Sequence, residues 1–138
     1  MLNYLYVAAG SAVGGVARFA IGTWLQRRLD DVVPRTATLP SLPFPIGTLI
    51  VNVTGSFLLG VILVAVARSG EHANTTRLLL AVGLCGGYTT FSTFSADTIG
   101  LLESGGGGLA LLNVAASLIL ALGATFLGFV IARAVTSG

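Results

Sequence analysis

Four long apolar stretches dominate the sequence and leave few folds open to it. Each stretch has 22 to 25 residues, and about 20 apolar residues in a helix are enough to cross the ~30 Å hydrocarbon core of a bilayer. The predicted spans are Leu2–Leu25, Ile46–Ala67, Leu78–Leu102 and Leu109–Ala132. The pattern predicts an all-α membrane protein with one four-helix transmembrane domain over residues 1–138.

The polar connections between these spans are short, except for the first. They are Gln26–Pro45, Arg68–Arg77 and Glu103–Gly108. The first contains four prolines, so it is predicted to be an ordered or semi-extended loop rather than a helix. The glycines at 105–108 predict a flexible turn. No basic residue precedes the first apolar stretch, which is longer than the core of a signal peptide, so we predict a retained first helix.

The chain has few charges and few reactive side chains. Charged residues make up 9% of it, against about 25% in soluble proteins. The seven basic residues are all arginines and form no patch, which argues against a nucleic-acid partner. The single Cys85 excludes an intrachain disulfide and a cysteine-rich zinc site. No catalytic Ser-His-Asp or Cys-His group can be assembled around the single His72, so we predict that the chain is not an enzyme.

Residues 86–97, GGYTTFSTFSAD, interrupt the third span. Gly86 and Gly87 are predicted to break the helix in mid-membrane. Five hydroxyl side chains then follow within seven residues, with Phe91 and Phe94 among them. Broken backbone is tolerated at membrane depth only where protein buries it or where it lines a watery cavity. The segment is therefore a candidate functional site.

The second span carries a polar stripe. Thr48, Asn52 and Ser56 are four residues apart and share one helical face. Such residues either bond neighbouring helices together or line a pathway. We interpret Asn52, whose amide offers two N–H donors, as a pathway residue and Ser56 as an interhelical contact.

Other polar residues of the spans have two readings each. Asn113 and Ser117, four apart in the fourth span, form a second stripe that either holds the bundle together or lines a pore. Arg18, in the first span, either extends to the interface or faces the bundle interior or water, where it would attract anions. Asp97, near a membrane face, either tunes the admission of ions or is simply solvated.

Acidic residues are missing from the first, second and fourth spans. A proton-coupled cation pump normally places a carboxylate in its pathway, whereas this chain offers hydroxyls, an amide, an arginine and the ends of a broken helix. A pathway rich in donors suits a small anion. The positive edges of Phe91 and Phe94 could attract an anion weakly, although a Phe pair at this spacing is by itself more often helix packing.

Arginines are balanced between the two membrane faces. Four crossings place both termini on one side, with the arginines at 68, 77 and 133 there and those at 27, 28 and 35 opposite. The positive-inside rule then gives no orientation. Either another feature orients the chain, or it inserts both ways and opposite copies pair around a two-fold axis in the membrane plane. The nineteen glycines favour close helix contacts, so an oligomer is the simpler inference.

Several motifs resemble the Fluc (CrcB) family of bacterial fluoride channels. They are GGVARF at 14–19, GTLIVNVTGSFLLG at 47–60, GLCGGYTTFSTFSAD at 83–97 and LALLNVAAS at 109–117. The resemblance implies a fluoride-selective channel of the cell inner membrane that exports F⁻ passively and lowers its toxicity. It also implies a dual-topology antiparallel homodimer, embedded in the lipid bilayer, with two separate pathways. Asp97 stands where glutamate is common in the family.

The resemblance further implies roles for individual residues. The fluoride pathway would be lined by Phe91, Phe94, Asn52, Thr48, Thr93 and Arg18, with Ser117 and Asn113 as further candidates. Gly86 and Thr89 would bind a structural Na⁺ at the dimer interface through backbone carbonyls, which suit a hard cation. The alternatives are a small multidrug-resistance-type dual-topology proton-coupled exporter, which would need a carboxylate in an early helix, and an accessory subunit without flux of its own.

Overall fold

The computed structural model describes residues 1–32 and 44–136, apart from the side chains of residues 29–32. Its α-helices are α1 (Leu2–Val32), α2 (Ile46–Arg68), α3 (Ala73–Thr76), α4 (Gly86–Tyr88), α5 (Phe91–Glu103) and α6 (Gly107–Thr136). A 3₁₀ turn at Gly70–His72 precedes α3, and a π-helical segment at Arg77–Cys85 joins α3 to α4.

Four helical spans in this part of the chain are long and apolar enough to cross a membrane. They are Leu2–Arg28, Ile46–Arg68, Gly70–Glu103 and Gly107–Thr136. The third is the composite one, running from the 3₁₀ turn through α5. The prediction of an all-α protein with four membrane helices is therefore confirmed.

The first helix extends further than its apolar stretch. It was expected to end near Leu25, but α1 continues to Val32, so the prediction that the whole of Gln26–Pro45 is non-helical is wrong for residues 26–32. The reason is that hydropathy marks where the membrane ends rather than where the helix ends, and proline is absent before position 34. Of the remainder of that connection, residues 33–43 lie outside the described residues.

The helix break also lies elsewhere than the glycines predicted. Gly86 and Gly87 are both helical, in α4. The chain becomes extended two residues later, at Thr89 (φ −80°, ψ 158°) and Thr90 (φ −150°, ψ 114°). Glycine permits a break without requiring one, and Gly87 serves close packing instead: a Cβ there would lie 2.6 Å from the carbonyl oxygen of Ser11 on α1.

The other connections are tighter than the sequence indicated. Ser69 alone separates α2 from the 3₁₀ turn, where Gly70 adopts a positive φ of 52°. Gly105 (φ 82°) turns the chain between α5 and α6, and the glycines at 107 and 108 already belong to α6. Within the described chain, α2 packs most extensively against α6, while α1 packs on the π-helical segment and α4.

Candidate functional site

The break at Thr89–Thr90 is held by a side chain from another helix. The Asn52 side-chain Nδ2 on α2 donates to the Thr90 carbonyl oxygen at 3.0 Å, and the Thr90 N–H donates to Asn52 Oδ1 at 2.7 Å. The Asn52 amide thus replaces the acceptor that a continuous helix would have supplied to the Thr90 N–H. It also adds a donor to the Thr90 carbonyl, which as the N-cap carbonyl accepts the first hydrogen bond of α5. A broken backbone in the membrane needs such partners because water is absent from the hydrocarbon core.

The hydroxyl of Thr90 starts the next helix. Thr90 is the N-cap of α5, and its Oγ1 accepts a hydrogen bond from the Thr93 N–H at 3.1 Å. The same oxygen donates to Thr93 Oγ1 at 3.0 Å and lies 3.2 Å from Ser92 Oγ. Thr90 is buried, at 7% exposure, whereas Thr93 is exposed at the subunit surface. A Ser or Thr cap of this kind satisfies one of the N–H groups that a helix start leaves unpaired.

These two interactions divert the N–H groups that would normally bind two helical carbonyls. In an α-helix the carbonyl of Gly86 would accept from the Thr90 N–H, and that of Thr89 from the Thr93 N–H. Here the Thr90 N–H donates to Asn52 and the Thr93 N–H donates to the Thr90 side chain. The carbonyl oxygens of Gly86 and Thr89 are thereby released from these helical bonds at neighbouring points of the break.

An open cleft of about 660 Å³ leads along α1 and α2 to this break. Its lining residues are Gly15, Arg18, Phe19, Gly22, Thr23, Gln26, Arg27, Pro45, Gly47, Thr48, Val51, Thr90, Thr93 and Asp97. These residues include two arginines and one carboxylate, so the lining carries a net positive formal charge. Because Arg27 and Pro45 lie near the ends of their helices and Thr90 lies in mid-span, the cleft reaches from one membrane face toward the bilayer interior.

Asp97 is engaged by a neighbour on the wall of this cleft. Thr48 Oγ1 donates to Asp97 Oδ2 at 2.7 Å, joining α2 to α5. The contact occupies the hydroxyl hydrogen of Thr48, so Thr48 lines the cleft without offering that hydrogen to a ligand. Asp97 is therefore hydrogen-bonded on the wall of the cleft rather than simply solvated, and its role in tuning the admission of ions stays a prediction.

The two phenylalanines lie outside the cleft, although they follow the break directly. Their ring centroids are 5.4 Å apart, with the ring planes tilted by 47°. Phe91 is 76% exposed, so its ring is not used to fill the core of the described subunit. Phe94 is half-buried. Packing within the described subunit therefore accounts for little of the Phe91 ring, whereas the half-buried Phe94 is partly packed.

The predicted pathway residues fall into three groups in the structure. Arg18, Thr48 and Thr93 line the cleft together, and Asn52 holds the break at its inner end. Phe91 and Phe94 lie beyond the break.

The fourth-span candidates lie apart from both the cleft and the phenylalanines. Among the described residues, α6 contributes nothing to the lining of the cleft. The buried Asn113 donates to Thr98 Oγ1 of α5 at 2.9 Å. Ser117, one turn further along α6, is half-buried.

Two residues beside the break were missed as site residues. Thr90 could have been recognised as an N-cap, since a Thr directly before a helical segment is a start signal. Tyr88 is buried and its hydroxyl lies 3.0 Å from Thr54 Oγ1. No sequence signal marks Tyr88, because its partner is 34 residues away on α2.

Comparison with known proteins agrees with this architecture. The profile of a family described as "CrcB-like protein, Camphor Resistance (CrcB)" matches residues 5–129. The chain belongs to the CrcB family. The prediction made from the motifs of all four spans is confirmed.

Relatives in the CrcB family match this chain over nearly its whole length. A protein of Agrobacterium fabrum named "Fluoride-specific ion channel FluC" is 40% identical over 133 residues, covering 96% of this chain and 98% of the relative. Proteins with the same name from Sorangium cellulosum (38% over 138 residues, 100% of both chains) and Thermus thermophilus (42% over 127 residues, 92% and 91%) are also similar.

These names bear on three further predictions. The relatives are ion channels, so the prediction that the chain is not an enzyme is confirmed. With four membrane-spanning helices, this CrcB protein is a multi-pass protein of the cell membrane. The alternative of a proton-coupled drug exporter finds no support among these relatives.

Proposed function

We propose that this CrcB protein is a fluoride-selective channel that lets F⁻ leave the cell passively. The observation that carries the proposal is the donor-lined cleft, which reaches from one membrane face to the Thr93 hydroxyl at the helix break. The full-length similarity to proteins named as fluoride-specific channels supports the choice of ion. Passive export relieves a cell because hydrogen fluoride enters as a neutral weak acid and dissociates inside, where the anion is trapped.

The charges of the cleft suit the capture and release of a small anion. Arg18 and Arg27 supply the positive field, and Asp97 opposes it within the same cleft. A conduction pathway must attract an ion strongly enough to admit it but weakly enough to release it. Two arginines countered by one hydrogen-bonded carboxylate leave a weak net positive field of this type.

Beyond the break, Phe91 and Phe94 would line the fluoride path in place of the hydroxyl groups. Aromatic rings carry a positive edge, which can face an anion without the strong grip of a cationic side chain. The exposure of Phe91 at the subunit surface supports a place where a second subunit completes the path. Asn52 contributes by holding the break open, and Asn113 and Ser117 of α6 remain candidates for lining the far side of such a path.

We further propose that two copies associate as an antiparallel homodimer with dual topology. The balanced arginines of the two membrane faces and the exposed polar surface at Thr93 and Ser92 support a partner of the same chain. A single cysteine in place of the exposed His72, in a variant with Cys85 replaced by alanine, tests the topology in whole cells. We expect a membrane-impermeant reagent to label about half of the copies in intact cells and the other half only after the membrane is permeabilised. Labelling of all copies or of none in intact cells would contradict the proposal.

The released carbonyls of Gly86 and Thr89 fit a structural Na⁺ between the two copies. Carbonyl oxygens are ligands that a hard cation prefers, and a Cβ at Gly86 would meet nothing within 4 Å, so a partner has room to approach. Two copies would supply four such oxygens. We expect the purified dimer to lose stability when Na⁺ is replaced by N-methylglucamine, and equal melting temperatures in the two salts would contradict the site.

The ion selectivity is tested with purified protein in liposomes loaded with either potassium fluoride or potassium chloride. We expect fluoride efflux, read with an ion-selective electrode after addition of a potassium ionophore, and negligible chloride efflux. Protein-free liposomes are the control for hydrogen fluoride leakage. Efflux of both halides at similar rates would contradict selectivity, and no efflux of either would favour an accessory subunit.

A further inference from the structure

Hydroxyl groups within the helices of this protein mostly bond back to their own helix. Ser95 donates to the Phe91 carbonyl at 2.9 Å, and Thr98 donates to the Phe94 carbonyl at 2.7 Å. Thr125 on α6 donates in the same way to the Ala121 carbonyl at 3.0 Å. In each case the acceptor lies four residues earlier, so the hydroxyl hydrogen is occupied and is withheld from any ligand.

Thr93 cannot follow this pattern because its helix has only just begun. The residue four positions earlier is Thr89, which lies in the extended break, so its carbonyl is not stacked below Thr93 as it would be in a helix. Among the described residues, the Thr93 hydroxyl is given a hydrogen by Thr90 Oγ1 and none accepts its own. The helix break therefore frees a donor at the inner end of the cleft.

The direction of this donor is set by Thr90. A threonine hydroxyl has one hydrogen and two lone pairs. At Thr90 the hydrogen goes to Thr93 Oγ1, one lone pair accepts from the Thr93 N–H, and the other is within reach of the Ser92 hydroxyl. A fully engaged Thr90 oxygen cannot accept the Thr93 hydrogen. With no other acceptor among the described residues, that hydrogen is left for the cleft that Thr93 lines.

We propose that Thr90 is a positioning residue for anion permeation: its hydroxyl gives its only hydrogen to Thr93 Oγ1 and thereby directs the Thr93 O–H toward the passing anion. The proposal rests on the proposed channel function and adds to it a residue whose own hydroxyl is engaged by protein partners. Thr90 borders the cleft but is only 7% exposed, so the influence proposed for it passes through the orientation of the Thr93 hydroxyl.

The experiment is a double-mutant cycle in fluoride-loaded liposomes, with Thr90→Val, Thr93→Val and the double variant. Valine keeps the shape of threonine and removes the hydroxyl. We expect Thr90→Val to lower fluoride flux roughly three- to tenfold, in line with the loss of one oriented hydrogen bond. The same change should cost nothing further once Thr93 is already valine, because coupled residues are non-additive. Thr90→Ser should retain flux.

A structural role of Thr90 as a helix cap would behave differently. Losing the cap would lower flux by the same factor whether or not the Thr93→Val change is also present, and that additive result would overturn the proposal. Thr90→Asn provides a second test if the valine variant does not fold, because asparagine is a strong cap residue. Its side-chain oxygen would accept the Thr93 hydrogen and turn it inward, so flux should fall although the helix start is kept. Full flux from a folded Thr90→Asn would overturn the proposal.

The matched control is Thr125→Val, which removes a hydroxyl that bonds only within α6. It should conduct fluoride as the unmodified protein does. If the unmodified protein conducts fluoride and Thr90→Val conducts it equally well, the role of Thr90 is overturned while the channel function stands. Absence of fluoride flux from both the unmodified protein and Thr125→Val would overturn the channel function, and the role of Thr90 with it.

Discussion

The seam between α2 and α6 and the break at Thr89–Thr90 solve the problem of helix packing in opposite ways. At the seam, Gly60 lies against the Thr125 backbone and Gly128 against the Phe57 carbonyl, so closely that a Cβ on either glycine would overlap the facing backbone oxygen. Both helices stay regular there. At the break the backbone leaves the helix, and the side chains of Asn52 and Thr90 take over its hydrogen bonds.

The difference shows which property each region depends on. Small residues let membrane helices approach closely, where van der Waals contact drives association, so the seam tolerates no added atoms. The break tolerates no lost polar groups, because an unsatisfied backbone group is costly in a membrane. The seam thus contributes close packing and stability but no polar groups for a ligand. At the break, side-chain hydrogen bonds replace those of the backbone and leave hydroxyl and carbonyl groups available to an ion.

Removal of Asn52 is expected to have the largest effect on stability. Asn52→Ala leaves the buried Thr90 N–H without its partner and removes one of the hydrogen bonds to the Thr90 carbonyl, and an orphaned buried group costs about 1–3 kcal/mol. We expect the variant to melt at a clearly lower temperature in detergent and to yield little folded protein. Ser56→Ala, one turn further along α2 and outside the hydrogen bonds of the break, is the matched control. Equal melting temperatures for the two variants would show that Asn52 does not hold the break.

The residues of this break also mark the limit of prediction from sequence. The spacing singled out Asn52 and the hydroxyl-rich segment, since polar residues stand out in an apolar span. The position of the break was misjudged, because it is fixed by an amide 38 residues away rather than by the local glycines. The end of α1 was misjudged for a related reason: hydropathy reports the membrane boundary and is silent on a helix that continues past it.

A substitution at the seam between α2 and α6 is expected to lower the stability less than the loss of Asn52, but still clearly. Two glycines of α6 offer a matched pair, because a Cβ on Gly123 would meet nothing within 4 Å whereas one on Gly128 would overlap the Phe57 carbonyl oxygen. Overpacking costs about 1–3 kcal/mol, so Gly128→Ala should lower the melting temperature. Gly123→Ala should leave it unchanged or raise it slightly, since alanine favours a helix by up to ~1 kcal/mol over glycine. Equal melting temperatures for the two variants would mean that α2 and α6 can move apart to fit the added methyl group without a loss of stability.

Substitution of Phe91 should affect fluoride flux but hardly affect stability. Its ring is 76% exposed in the subunit, so Phe91→Ile should change the melting temperature least of the three variants. If the ring edge attracts fluoride as strongly as two aromatic rings attract each other, by about 0.5–1.5 kcal/mol, Phe91→Ile should lower flux by up to roughly tenfold. Phe126→Ile on α6, where the ring is 70% exposed, is the control and should preserve flux. If both variants conduct fluoride equally well, Phe91 is a surface residue like Phe126, and the path beyond the break must run along the hydroxyls alone.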